Sequence, residues 1–162
     1  MTWIDDFTQK LIAGGLATDK TLEGCTENEI AAIESHFNLK LPQAYKDYLS
    51  RMGKKAGDFL SECLLTYPEI VEYGRATAEG LVQRTEYKLP KSAFVFVERY
   101  GCQFFFFDTA SNDDNPSVYR FLEGDQKPEQ VANTFSEALE KALSDELADL
   151  DPKSTKEHEF TK

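Results

Sequence analysis

The spacing of hydrophobic positions predicts a short helix that begins after Thr26. Thr26 and Glu29 have the separation of a capping box, in which the hydroxyl accepts a backbone N–H of the first turn and the carboxylate accepts the N–H of the cap residue. The apolar positions that follow recur at helical spacing and predict one buried stripe, formed by Ile30, Ile33 and Phe37. We expect this helix to end near Asn38.

A second short helix is predicted directly afterwards, beyond a tight Leu-Pro corner. Pro42 has a fixed φ that suits the first position of a helix, and Gly53 is a suitable residue just past its end. The buried side of this helix follows the spacing i, i+3, i+4 and i+7 and contains Tyr45, Tyr48, Leu49 and Met52. The pattern therefore predicts two helices joined by a proline corner.

Two further helices are predicted near the ends of the chain. The first covers residues 3–13 and ends at two glycines, and the last begins at another capping-box pair, Thr134 and Glu137, and ends at residues 151–152. The predicted buried side of the last helix contains Phe135, Leu139, Ala142 and Leu143. Its predicted outer face contains Glu140, Asp145, Glu146 and Asp149.

The middle of the chain predicts a strand followed by a short helix. Residues 59–65 are predicted to form a first strand. Thr66 and Glu69 repeat the capping-box spacing, so a short helix is predicted over residues 68–73. Residues 74–89 carry no clear periodicity, and no element is predicted there.

A β-hairpin is predicted from two apolar runs, residues 94–97 and 103–107, with Tyr100-Gly101 as the turn. The runs do not alternate with polar residues, which favours strands that are covered on both faces. Residues 117–122 predict a third strand after a polar connection. Helices, then strands, then a terminal helix indicate an α+β fold, with an antiparallel sheet of about four to six strands packed with helices.

Composition and charge narrow the classes of partner. The 162 residues are 41% hydrophobic and carry a net charge of −11, with most of the excess acid after residue 60. An acidic surface repels nucleic acid and anionic membranes and attracts basic proteins, although many soluble proteins are acidic as well. No apolar run approaches the ~20 residues of a membrane span, and the N-terminus has no signal-peptide pattern, so we predict a cytoplasmic protein.

The residues that could carry chemistry are few and scattered. Cys25, Cys63 and Cys102 are odd in number and far apart, which disfavours a disulfide framework or a zinc site. His36 and His158 are both predicted to face solvent, so neither is placed to activate a thiol. We predict no catalytic, cofactor-binding or metal-binding residues, and no enzymatic activity. An alternative that stays open is a small enzyme that uses Cys102 or Cys63.

Three separated blocks of residues resemble the SUKH superfamily, which is known from a fungal cell-wall synthesis regulator and from bacterial immunity proteins. The first block contains Gly24, Thr26, Glu29, Ile30, Ile33, Leu39, Leu41, Pro42, Tyr45, Tyr48 and Leu49. The second contains Phe107, Asp108, Pro116, Val118 and Tyr119, and the third contains Phe135 and Leu139. The resemblance implies one SUKH-like domain over residues 1–150, followed by a tail, 151–162, that we predict to be disordered.

The resemblance also implies a function in binding rather than catalysis. Its bacterial members bind and neutralise cognate polymorphic or contact-dependent toxins, many of which are nucleases, and we predict the same for this chain with a basic toxin as partner. The alternative is a non-catalytic regulatory interaction module that resembles the fungal branch. Nothing in the sequence supports a homo-oligomer.

Acids beside exposed aromatic side chains are the predicted binding residues, since charge speeds encounter and desolvated aromatics supply affinity. One set, in the region from the second to the third strand and at the end of the third strand, contains Asp108, Asp113, Asp114, Tyr119, Glu123 and Asp125. A second set, on the short helix, contains Glu69, Glu72 and Tyr73. The alternative for each is a solvated acid or a core tyrosine. Asp113 and Asp114 lack the alternating acid pattern of a calcium loop.

Overall fold

The computed structural model describes residues 2–150 and has the predicted α+β architecture. Its α-helices are α1 (Trp3–Ala13), α2 (Glu27–Phe37), α3 (Gln43–Met52), α4 (Arg75–Val82) and α5 (Phe135–Asp149). Its strands are β1 (Leu22–Glu23), β2 (Lys55–Ala56), β3 (Ala93–Arg99), β4 (Gln103–Asp108), β5 (Val118–Leu122) and β6 (Glu129–Ala132). A π-helical turn, Ile70–Gly74, leads directly into α4, and a 3-10 turn, Thr109–Ser111, follows β4.

The strands form two antiparallel sheets rather than one. The main sheet has the order β3-β4-β5-β6, and β1 pairs with β2 in a separate two-stranded sheet. The predicted hairpin is confirmed, with Phe94 opposite Phe107 and with a register shift between Val95 and Val97. The predicted third strand is β5, whereas β6 was not predicted, because its polar sequence gives no strand signal.

Both faces of the main sheet are covered, which explains why its central strands do not alternate between apolar and polar residues. On one face, Phe94, Phe96 and Phe107 pack with helices α1, α2, α3 and α5. On the other face, Val95, Phe104, Phe106 and Phe121 pack with Ala78 and Val82 of α4. The bulge between Val95 and Val97 lies in β3, which, like β4 and β5, contributes residues to both clusters.

Aromatic rings occupy the centre of the larger cluster. Tyr45 from α3 meets Phe135 from α5 edge-to-face, with ring centroids 5.4 Å apart. Phe135 also contacts the rings of Trp3, Phe96 and Phe107 at 5.1–6.0 Å. Edge-to-face geometry is favourable for aromatic pairs, so these contacts connect three helices to the sheet.

The predicted helix pair is confirmed, including its cap. The Thr26 hydroxyl accepts the Glu29 N–H at 3.1 Å, and the Glu29 carboxylate accepts the Thr26 N–H at 2.8 Å. The helix ends at Asn38, which takes the left-handed conformation (φ 52°) that asparagine tolerates. The second helix begins at Gln43, so Pro42 (φ −61°, ψ 148°) is its cap residue rather than its first helical residue.

Gly53 ends α3 for a different reason from the one predicted. Its backbone is right-handed (φ −65°), so the position does not need a glycine for its dihedral angles. A Cβ there would lie 2.7 Å from the Cys25 sulfur and 2.7 Å from the Leu49 carbonyl oxygen. The glycine is therefore required by close packing.

The prediction of a strand over residues 59–65 is wrong. The segment makes turns, with Phe59 N–H bonded to Ala56 O and Cys63 N–H bonded to Leu60 O. Only Leu64 forms a bridge, opposite Glu98. Leu60 has a left-handed φ of 47°, which breaks an extended chain.

The predicted capping box of Thr66 and Glu69 does not form either. Glu69 is the cap position itself, and no side chain caps the turn. The N–H groups of Val71 and Glu72 bond to the carbonyl of Pro68 at 3.0 and 3.1 Å. The backbone therefore turns at Pro68 and needs no side-chain cap, and the turn continues into α4, where no element was predicted.

Two predictions for α5 are corrected. The Thr134 hydroxyl accepts the Glu137 N–H, but the Glu137 carboxylate accepts the N–H of Asn133 instead of that of Thr134, so half of the capping box forms. Glu146 was predicted on the outer face, yet it is half-buried and accepts the N–H of Leu60 at 2.7 Å. The predicted stop at residues 151–152 and the predicted tail lie outside the described residues.

Candidate partner-binding surface

The nine side chains predicted to bind a partner lie in separate parts of the fold. Asp108 is the last residue of β4, Asp113 and Asp114 lie in the connection from β4 to β5, and Glu123 and Asp125 lie after β5. Tyr119 is within β5. The second predicted set lies at the π-helical turn: Glu69 directly precedes the turn, Glu72 and Tyr73 are within it, and all three are exposed. The five residues of β5 place its two ends roughly 13 Å apart, so the structure does not combine the acids into one patch.

In the β4–β5 connection, the carboxylates take part in local turns. Asp108 Oδ1 accepts the Ala110 N–H at 2.9 Å, and Asp113 Oδ1 accepts the Asn115 N–H at 2.9 Å. Asp114 is exposed, and its carbonyl accepts the Ala44 N–H at 2.9 Å. The bond between Ala44 and Asp114 attaches the connection to the start of α3.

Tyr119 is half-buried in the smaller core cluster. Its ring stacks on Phe106 from the neighbouring strand, with centroids 5.5 Å apart and an interplanar angle of 24°. The two residues are directly opposite each other across the strand pair. Its ring therefore covers apolar side chains of the sheet.

At the opposite end of β5, two turns of the main sheet lie side by side. The Glu123 N–H bonds to the Cys102 carbonyl at 2.7 Å, and Gln103 pairs with Leu122. Asp125 Oδ2 accepts the Leu122 N–H at 2.9 Å and so fixes the turn after β5. The β3–β4 turn and the turn after β5 are thereby brought into contact.

This end of the sheet also exposes two apolar side chains that were not among the predicted binding residues. Tyr100 is 69% exposed in the β3–β4 turn, and Leu122 is 38% exposed at the end of β5. Among the described residues, the other large exposed apolar side chains are Tyr73 and Leu150. The exposure of Tyr100 could have been predicted from its place in a two-residue turn, because a residue there cannot point into the sheet core.

Ionic contacts hold this region together. The Arg99 guanidinium pairs with the Glu62 carboxylate at 3.0 Å and lies 5.5 Å from the centre of the Tyr100 ring. The Glu98 carboxylate accepts the N–H of Gly101. We call the sheet-end surface the set formed by Glu62, Arg99, Tyr100, Leu122, Glu123 and Asp125.

Two of the three thiols, those of Cys25 and Cys63, do not have the environment of activated nucleophiles. Burial raises the pKa of Cys25 to about 11, and it also raises the pKa of Cys63. A nucleophilic cysteine needs the opposite shift, because the thiolate is the reactive form. His36 is exposed, as predicted, and its ring contacts that of Phe37. His158 lies outside the described residues.

Residues 2–150 contain neither a metal-ligating cluster nor a helix that could span a membrane. In this range no group of three or more histidine, cysteine, aspartate or glutamate side chains is arranged to hold a metal ion. None of the helices described there has both the length and the apolar character needed to cross a bilayer.

The comparison with known proteins identifies the family. No curated protein matches the chain. Residues 24–141 match the model of the SMI1 / KNR4 family (SUKH-1). The match begins at Gly24, in front of the capped helix α2, and ends within α5, so it includes the helix pair and the whole main sheet. Because this range is most of the chain and holds the observed α+β core, the protein belongs to the SMI1 / KNR4 family (SUKH-1).

Proposed function

We propose that this protein is an immunity protein that binds and neutralises a cognate polymorphic or contact-dependent toxin in the cytoplasm. The observation that carries the proposal is membership of the SMI1 / KNR4 family over residues 24–141. Neutralisation by a protein of this kind requires only a stable complex, in which the toxin's active site is covered or a required movement is blocked.

Charge supports a basic toxin as the partner. The chain has a net charge of −11, and complementary charge raises the rate of encounter and disfavours wrong partners. A nuclease would fit this description, since enzymes that act on nucleic acid need basic surfaces for the phosphate backbone. The environment of the thiols supports a role in binding rather than covalent catalysis, because burial raises the pKa values of Cys25 and Cys63.

Co-expression with the toxin encoded by the neighbouring gene tests this function. Cells that express the toxin alone are expected to die, and cells that also express this protein are expected to grow. The purified proteins are expected to form a one-to-one complex by calorimetry. Continued killing with both proteins present at adequate levels, or no measurable complex, would contradict the proposal.

The second candidate is a non-catalytic regulatory interaction module. The observation in its favour is the match to the SMI1 / KNR4 family (SUKH-1), because the SUKH superfamily that the sequence resembles is also known from a fungal cell-wall synthesis regulator. The gene neighbourhood separates the two candidates: an adjacent gene for a large secreted toxin favours the immunity function, and its absence favours the regulatory module. Alkylation of all three thiols without loss of function would exclude a small thiol enzyme.

A further inference from the structure

We propose that the sheet-end surface is the site at which this protein binds its partner, with Tyr100 and Leu122 as apolar anchors against a basic protein surface. The inference rests on the proposed function, because it assigns the face that contacts the toxin.

Its first support is the conformation of the β3–β4 turn. The Cys102 N–H bonds to the Arg99 carbonyl at 3.0 Å, and the two residues between them, Tyr100 and Gly101, have φ values of 52° and 68°.

Positive φ at both central residues is the requirement of a type I′ turn, where Asn-Gly and Asp-Gly are strongly preferred. A tyrosine in the left-handed region is strained, because its Cβ and ring crowd the backbone. Burial does not compensate for this strain, since the Tyr100 side chain is 69% exposed. The tyrosine therefore lowers the stability of the protein without a partner, and a contact with another molecule would explain its presence at this position.

The ring also contacts a neighbouring cationic side chain in the free protein. Arg99 lies 5.5 Å from its centre, and Glu62 holds the guanidinium at 3.0 Å. The Glu98 carboxylate fixes the turn through the N–H of Gly101. A tyrosine has few side-chain torsion angles and loses little conformational entropy on binding, which is a property of efficient interface anchors.

The charges around the anchors identify the kind of partner. Three carboxylates that are exposed or half-buried, from Glu62, Glu123 and Asp125, lie in the two turns and beside them, together with two basic side chains, Arg99 and Lys127. The Glu98 carboxylate is buried and accepts the Gly101 N–H, so it is not part of the exposed surface. Together with the net charge of −11, this arrangement fits a protein surface with lysine and arginine side chains around an apolar pocket. The exposed aromatic and the exposed leucine would fill that pocket, and the acids would form the polar rim.

Tyr73, which the sequence predicts as a binding residue, is the competing position, and the inference requires that Tyr100 and not Tyr73 carries the affinity. Tyr73 is also an exposed tyrosine, at 56%, and it has acidic neighbours, Glu69 and Glu72. It differs from Tyr100 because it lies in a helical turn and has no positive φ. If any exposed tyrosine among acids were sufficient, both positions would contribute equally to binding.

The test is a titration of the neighbouring-gene toxin domain, produced in a catalytically inactive form, against wild-type protein and the variants Tyr100→Asn, Leu122→Ser and Tyr73→Asn. We expect the affinity to fall about thirtyfold or more for Tyr100→Asn, as for an interface hot spot, and to change less than threefold for Tyr73→Asn. Since asparagine suits the first position of this turn, Tyr100→Asn should melt at or above the wild-type temperature, so loss of affinity cannot be attributed to unfolding.

The outcomes separate the two proposals. If wild-type protein binds the toxin and both Tyr100→Asn and Leu122→Ser bind equally well, the sheet-end surface is not the binding site, while the immunity function stands. If wild-type protein does not bind the toxin, the immunity function fails and the inference fails with it. If wild-type protein dimerises, Tyr100→Asn abolishes the dimer and the toxin affinity is unchanged, the surface belongs to a second copy of the chain and the inference is overturned.

Discussion

The Glu146 carboxylate on α5 accepts a hydrogen bond from the Leu60 N–H at 2.7 Å, across 86 positions of the sequence. This contact satisfies a backbone donor in the segment that was wrongly predicted as a strand. The second oxygen of Glu146 is buried and has no hydrogen-bond partner among the described residues. Burial raises the pKa of Glu146, and the negative charges of Asp149, Glu62 and Asp58 raise it further, while the bond from Leu60 lowers it.

We therefore predict that Glu146→Gln stabilises the protein at neutral pH. The raised pKa means that the folded state binds the proton more tightly than the unfolded chain, so the ionised glutamate costs stability once the pH rises above that pKa. Glutamine keeps an acceptor for Leu60 and removes the charge. Because water screens a half-buried group, we expect the melting temperature at pH 7 to rise by about 1–2 °C.

Two comparisons make this prediction specific. The gain from Glu146→Gln should disappear near pH ~4, where the wild-type carboxyl is itself protonated. Glu146→Ala should instead destabilise the protein by about 1 kcal/mol at pH 7, because it leaves the Leu60 N–H without its acceptor. Melting curves of the three proteins from pH 4 to 8 provide the measurement, and a gain for Glu146→Gln that does not depend on pH would contradict the electrostatic explanation.

Substitution by alanine is predicted to have opposite effects on stability at two glycines, Gly24 and Gly80. A Cβ at Gly24 would lie 1.8 Å from the Ser50 carbonyl oxygen, a backbone atom that cannot move aside cheaply. Gly24→Ala should therefore destabilise the fold by about 3 kcal/mol. Gly80, inside α4, has no atom within 4 Å of the corresponding position, so Gly80→Ala should stabilise by about 0.5–1 kcal/mol. Urea denaturation of both variants checks the signs.

Arg75 is predicted to contribute to stability through its planar guanidinium. It donates to the carbonyls of Ala93, Leu89 and Pro90 at 2.9–3.2 Å and pairs with Glu79 at 2.8 Å. A lysine cannot reach these acceptors together, because its single ammonium lacks the fork geometry. Arg75→Lys should cost about 2 kcal/mol of unfolding free energy in urea denaturation.

Arg84 supplies the control for this prediction. It is exposed and lies just after α4 in the sequence. Arg84→Lys should change the unfolding free energy by less than about 0.5 kcal/mol, as is usual for exposed positions. Equal effects of the two substitutions would show that the contacts of Arg75 with the chain before β3 are not important for stability.

Cys25 should react slowly with alkylating reagents in the folded protein. Burial raises its pKa to about 11 from an ordinary value of 9.0, which reduces the thiolate fraction at pH 8 on the order of a hundredfold. We expect iodoacetamide to modify Cys25 at least that much more slowly in folded protein than in urea, as measured by peptide mass spectrometry. Rapid modification under native conditions would contradict the buried position of this thiol.

Local sequence was sufficient for features whose determinants lie within a few residues. The capping box of Thr26 and Glu29 satisfies donors inside its own first turn, so its spacing was enough to place α2. Asn38 ends that helix through its own backbone preference. The hairpin of β3 and β4 was predictable because its apolar runs are joined by a tight turn that ends in Gly101. The same local patterns carried the resemblance that the family match confirmed.

Long-range contacts decided the features that the sequence did not reveal. In residues 59–65, the Leu60 N–H finds its acceptor in Glu146, a residue from the far end of the chain that local sequence does not reveal. β6 has a polar sequence and is a strand because β5 offers it hydrogen bonds. The same distinction applies to the candidate binding surface. The acids could be identified from the sequence. Only the pairing of distant strands shows that Glu123 adjoins the turn that exposes Tyr100. Hydrogen bonds between strands bring together residues that are far apart in the chain, and hydrophobic periodicity carries no information about such pairs.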